Sequence, residues 1–134
     1  MTAPHAGPSA LEDLVLPELA AARLRSGARV AQAGCGEGAT LIALAVRFPR
    51  SSFHGFDVEG SSISAARIAG ARAGVSDRVT FEVAHPAGIR GDRFDLVFTS
   101  ERSRPDDARI RSVLADDGLW LHAEAAGASF EIRS

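Results

Sequence analysis

Three glycines alternate with Cys35 and Glu37 in the run Gly34-Cys35-Gly36-Glu37-Gly38, and Asp57 follows nineteen positions after the last of them. Glycines let a backbone turn sharply and lie against a ligand, and a helix that starts just beyond them points its positive end at the same place. A carboxylate at that separation can accept both hydroxyl protons of an adenosine ribose. The spacing therefore points to a nucleoside-like ligand. Alternatives stay open on the residues alone. The glycines also suit a bare reversal of strand into helix, and Asp57 also suits a capping or turn position. Gly34-Cys35-Gly36-Glu37-Gly38-Ala39 further satisfies the GxGxxA form of the dinucleotide fingerprint, which keeps NAD as a candidate.

These residues need elements to position them, and the hydrophobic pattern supplies an alternation of strands and helices. Arg29 to Ala33 reads as a strand opening into the glycines, and residues 38 to 48 as a helix apolar on most of its surface. Ser52 to Asp57 repeats the strand. Gly60-Ser61-Ser62 offers small N-cap candidates for a helix over Ile63 to Ala73, closed by Gly74. Arg78 to Ala84 is a third strand, with Val79, Phe81 and Val83 on one face, and Phe94 to Thr99 a fourth. Pro105-Asp106-Asp107 starts a helix running to about Ala115, and Asp116-Asp117-Gly118 turns into a fifth strand, Leu119 to Glu124. Ahead of all this, Leu11, Leu14, Val15, Leu19 and Leu24 predict a helix over residues 9 to 25, kinked or split at Pro17. Such alternation implies an open, doubly wound, mostly parallel α/β sheet of about five strands.

At 134 residues the chain is expected to form one domain, residues 9 to 134, behind a tail over residues 1 to 8. A net charge of −2 leaves no global positive field for a phosphate backbone, so nucleic acid is not an expected partner. Apolar runs such as 41 to 46 fall far short of the roughly 20 residues that span a bilayer. Cys35 is the single cysteine, and the N-terminus carries neither a basic nor an apolar leader segment, from which a cytoplasmic location is expected.

The blocks VAQAGCGEG, FHGFDVEGSSISAAR, AGVSDRVTFEVA, DRFDLVFTS and VLADDGLWLHAE occur in that order between about residues 28 and 126. They resemble the class I S-adenosylmethionine-dependent methyltransferases, of the small-molecule bacterial type that often carries a winged-helix segment before this domain. The resemblance implies S-adenosylmethionine as cofactor and a small-molecule methyl acceptor as partner. It implies that Gly34, Cys35, Gly36 and Gly38 pass close to the methionine moiety, that Asp57 binds the ribose, and that Val58 packs beside the adenine. Ala84 and His85 fall at the adenine edge, and Thr99 ends the fourth strand at the cofactor.

Three departures from the family pattern bear on activity. Gln32 stands where an acid usually precedes the glycines; Ala84-His85-Pro86 replaces a frequent aspartate; and Thr99-Ser100-Glu101-Arg102-Ser103-Arg104 leads at once to Pro105, shortening the wall of the acceptor pocket. Glu101 is a candidate general base, set against a surface ion pair with Arg102 or Arg104. His85 is another, set against an exposed loop histidine. No catalytic residue and no metal ligand is assigned. The resulting expectation is a minimal methyltransferase core, with a non-catalytic nucleoside-binding or association module as the alternative. The family's C-terminal strand pair is expected to be missing or reduced. Phe130 and Ile132 alternate as a short strand would, so residues 129 to 133 are expected either to cover the fifth strand or to pair with a second copy in a homodimer.

Overall fold

A computed structural model describes residues 16–85, 88–89, 93–100, 105–124 and 127–132. Six strands form one sheet in the order β3-β2-β1-β4-β5-β6. They are β1 (Arg29–Ala33), β2 (Ser52–Asp57), β3 (Val79–Val83), β4 (Phe94–Ser100), β5 (Leu114–Glu124) and β6 (Gly127–Ile132). The first five are parallel to their neighbours; β6 runs antiparallel to β5, from Leu119 against Ile132 to Glu124 against Gly127. Of the two alternatives for the C-terminal segment, the chain adopts the first and covers β5 with its own residues.

Among the described residues four helices pack on the two faces: α1 (Glu18–Ser26), α2 (Ala39–Arg47), α3 (Gly60–Arg72) and α4 (Asp107–Val113). One face buries Leu24 of α1, Leu41 and Leu44 of α2 and Ile63 of α3 against Val30, Phe53, Phe81 and Phe98 of the strands. The other buries Ile110 and Val113 of α4 against Val97 and Trp120, together with Ala31, Phe56 and Ile89. Strand residues alternate between these layers because successive side chains point to opposite sides of a sheet.

Several boundaries differ from those expected. Residues 9 to 15 of the first predicted helix lie outside the described residues; α1 itself begins after Pro17, which sits in an extended conformation at the N-cap. There its missing N–H costs nothing, whereas inside a helix it would break a bond and clash. The helix α3 starts at Gly60, three residues early, because Ile63 N–H donates to Glu59 O and draws the Gly-Ser-Ser run into the first turn. In α4 the N-cap is Asp106, whose carboxylate accepts from Arg109 N–H at 2.8 Å, and Pro105 lies outside the helix. That helix ends at Val113, since Leu114 already pairs with Phe94. The strand then bulges through Ala115–Gly118 and pairs again from Leu119, with Asp117 at φ 65° in the turn. Arg23 of α1 donates to Asp117 O and fastens this bulge to the opposite layer.

Candidate functional site

The C-terminal ends of β1 and β2 lie side by side, with Ala33 paired to Phe56, so the glycine loop leaves one strand directly beside the end of the next. Three consecutive loop amides turn toward β2. Gly34 N–H and Cys35 N–H both donate to Phe56 O, at 2.7 and 3.0 Å, and Gly36 N–H donates to Asp57 Oδ2 at 2.8 Å. The second carboxylate oxygen, Oδ1, accepts from Glu59 N–H at 2.9 Å. A carboxylate offers about four acceptor positions, so each oxygen retains one.

The glycines are not equivalent. At Gly36, with φ 57°, a side chain would meet nothing within 4 Å, so the backbone there faces open space. At Gly38, with φ 86°, a Cβ would stand 2.6 Å from Phe81 Cζ and 3.1 Å from Ala66 Cβ. Gly38 therefore lets the loop close onto β3 and α3, while Gly36 leaves a cradle. Cys35 fills the space under the loop; a Cβ on Gly55 would fall 2.8 Å from its sulfur. Burial, reinforced by the negative charge of Asp57, pushes its thiol up to about 12, so its side chain is a neutral packing group.

Val58 follows Asp57 and is 52% exposed, and Val83, paired with Asp57 across β2 and β3, is equally exposed. Two half-exposed valines thus flank the carboxylate. Val83 shares the expected face of β3 with Val79 and Phe81, but it lies at the end of the strand, and only the first two pack into the core. Ala84 is half-buried and donates its N–H to Asp57 O at 2.9 Å, which brings it to the same rim. His85 is exposed, and its carbonyl closes a turn onto Gly88 N–H. Pro86 and residues 101 to 104, among them Glu101, lie outside the described residues.

Thr99 follows Phe98, which pairs with Gln32, so it lies near the end of the strand next to β1. Its side chain is buried on the α4 side of the sheet, where Oγ1 accepts from Trp120 Nε1–H at 2.8 Å and pairs with His122 Nδ1 at 2.8 Å. Nothing in the sequence pattern pointed to His122 or Trp120, because the contact depends on the register between β4 and β5. Gln32, near the end of β1, leaves its Oε1 buried without a hydrogen-bond partner among the described residues. No group of three or more potential metal ligands occurs among the described residues, and no described helix is long and apolar enough to cross a membrane.

Several solved structures share this architecture. The chain aligns with the Escherichia coli protein YjhP at a TM-score of 0.68 and 22% identity, covering 78% of this chain and 45% of that one. The geranyl diphosphate C-methyltransferase of Streptomyces coelicolor, solved with Mg2+, geranyl-S-thiolodiphosphate and S-adenosyl-L-homocysteine, gives 0.66 at 16% identity, with 72% and 37% covered. An O-methyltransferase from a polyketide synthase multienzyme of Brevibacillus brevis, solved with S-adenosyl-L-homocysteine, gives 0.63 at 18% identity, with 72% and 35% covered. The chain thus spans less than half the length of each. Among curated proteins none matches the sequence. The family model described as a methyltransferase domain matches residues 24–119, from within α1 to the resumption of β5, and the chain belongs to that family.

Proposed function

We propose that this chain binds S-adenosylmethionine at the ends of β1 and β2 and transfers its methyl group to a small-molecule acceptor. The observation that carries the reading is the direction of the loop amides. A dinucleotide's pyrophosphate is held by N–H groups of the glycine loop and the helix behind it. Here the N–H groups of Gly34, Cys35 and Gly36 are all spent on Phe56 and Asp57. The loop segments nearby carry the carboxylates of Glu37, Asp57 and Glu59, which favour a cationic ligand over an anionic one. NAD is disfavoured for both reasons.

The residues present fit the cofactor. The open face of Gly36 accommodates the methionine portion, and the remaining acceptor positions of Asp57 match the two ribose hydroxyls. Val58 and Val83 offer apolar contact to the adenine, with Ala84 and His85 at its edge. The orphaned Oε1 of Gln32 suits an N–H donor better than a phosphate oxygen. When bound, S-adenosylmethionine supplies a sulfonium methyl open to attack by an acceptor oxygen, nitrogen or carbon. The chain's own contribution is to orient the reactants and exclude water, which can lower a barrier substantially without a dedicated acid or base.

A second reading, binding without transfer, is favoured by one feature: only six residues, 101 to 106, join β4 to α4 and are available there to wall an acceptor. Calorimetric titration with S-adenosylhomocysteine and NAD tests the binding step, with micromolar binding of the first and none of the second expected. Binding of NAD alone would overturn the proposal. Methyl transfer from labelled S-adenosylmethionine to a panel of small hydroxyl and amine acceptors separates the two readings.

A further inference from the structure

We infer that Asp57 is a latch that holds the glycine loop in its binding shape before any ligand arrives. Its purpose rests on the S-adenosylmethionine reading; the latch itself is a property of the ligand-free chain. The carboxylate bridges two loops: Oδ2 takes Gly36 N–H from the β1–α2 loop, and Oδ1 takes Glu59 N–H from the β2–α3 connection. Its importance follows from what else holds each loop residue. Gly34 and Cys35 are bonded to Phe56 O, and Gly38 is wedged against Phe81 and Ala66. Gly36 stands in open space, and among the described residues its amide has no other partner than Asp57.

Ribose recognition and loop shape therefore depend on one group. Of about four acceptor positions on a carboxylate, two are occupied by backbone amides, and the two that remain equal the number of vicinal ribose hydroxyls. Losing the carboxylate removes both the ribose acceptor and the anchor of the loop at its most open point. Asn at this position keeps the size and one acceptor oxygen, yet whichever way its amide turns, an NH2 faces either Gly36 N–H or Glu59 N–H. Donor then meets donor, and one anchor is lost.

Amide hydrogen exchange by NMR on the full, ligand-free chain tests the latch. In the wild type, Gly36 N–H and Glu59 N–H should be protected. In Asp57→Ala both should exchange faster by about tenfold or more, and in Asp57→Asn at least one should, while Val30 and Ala31 in the sheet stay protected. An unprotected Gly36 in the wild type overturns the latch, and so does unchanged exchange in both variants. The wild-type measurement decides even if neither variant folds. Titration with S-adenosylhomocysteine keeps the two ideas separate. If the exchange behaves as expected but the wild type does not bind, the cofactor reading falls and the latch stands. Binding with exchange unchanged leaves the cofactor reading intact and removes the latch.

Discussion

Two polar clusters lie at the same edge of the sheet and are built in opposite ways. At the end of β2, the partly exposed Asp57 carboxylate is bonded, among the described residues, to two backbone amides and keeps acceptor capacity. Where β4 pairs with β5, Thr99, Trp120 and His122 are buried, and the Thr99 hydroxyl is bonded to both of the others. The first arrangement can exchange water for a ligand's hydroxyls without breaking a protein hydrogen bond. In the second, two of the three hydrogen-bonding positions of the Thr99 hydroxyl are already taken within the protein. If Asp57 binds ligand as proposed, recognition and rigidity fall on different strand pairs, and substitutions should separate binding from stability accordingly.

The sharpest contrast is between two glycines of one loop. Gly38→Ala puts a Cβ 2.6 Å from Phe81 at φ 86°. We expect a loss of about 2 to 5 kcal/mol, from left-handed strain plus overpacking, read by urea denaturation. Gly36→Ala carries the strain alone, about 1 to 2 kcal/mol, but should weaken S-adenosylhomocysteine binding because the methyl enters the open cradle. Equal destabilisation by the two would show that Gly36 is packed rather than open.

Asp57→Ala should reduce affinity for S-adenosylhomocysteine by about 1.5 to 3 kcal/mol, the scale of charge-assisted hydrogen bonds, as read by calorimetry. Thr99→Val should do the reverse. It removes the hydrogen bonds that Thr99 Oγ1 makes with Trp120 Nε1–H and His122 Nδ1, at a stability cost of about 1 to 3 kcal/mol with affinity unchanged. A Thr99→Val variant with wild-type stability and weakened binding would place Thr99 at the cofactor site and dissolve the contrast.

The open cluster was legible in the sequence, and the closed one was not, for a physical reason. The glycines, Asp57 and the bounds of β1 and β2 are set by local chemistry: short apolar runs punctuated by residues that permit a turn. Thr99 meets Trp120 and His122 only because β5 bulges, so that the two-residue step from Phe94 to Leu96 faces the five-residue step from Leu114 to Leu119. No periodicity announces such a register. The double engagement of Asp57 was likewise invisible, since it depends on which way three backbone amides turn. By contrast, the alternation of Phe130 and Ile132 did signal a strand, because that pattern is local. Pro17 was legible as well: the break expected at this proline falls where α1 begins, and the expected helical residues 9 to 15 lie outside the described residues.

The smallest expected effect concerns Cys35, which belongs to the open cluster by position and to the closed kind by burial. Its thiol is pushed from about 9 up to about 12, first by desolvation and then by the charge of Asp57. The thiolate is the reactive form, so a shift of three units lowers its population at pH 8 by about a thousandfold. A disulfide reagent added to the folded protein at pH 8 should therefore label Cys35 only as fast as the chain opens, and completely once it is unfolded in urea. The same shift has a stability consequence with a definite sign. The folded state favours the neutral thiol more than the unfolded chain does, so the contribution is fully present below about pH 9 and is lost as pH rises toward 12. Stability of Cys35→Ala relative to wild type should thus improve over that interval. Rapid stoichiometric labelling of the folded protein would mean that the glycine loop lifts off Gly55 and Phe81 in solution, and the division between an open carboxylate and a closed underside would fail at the residue that joins them.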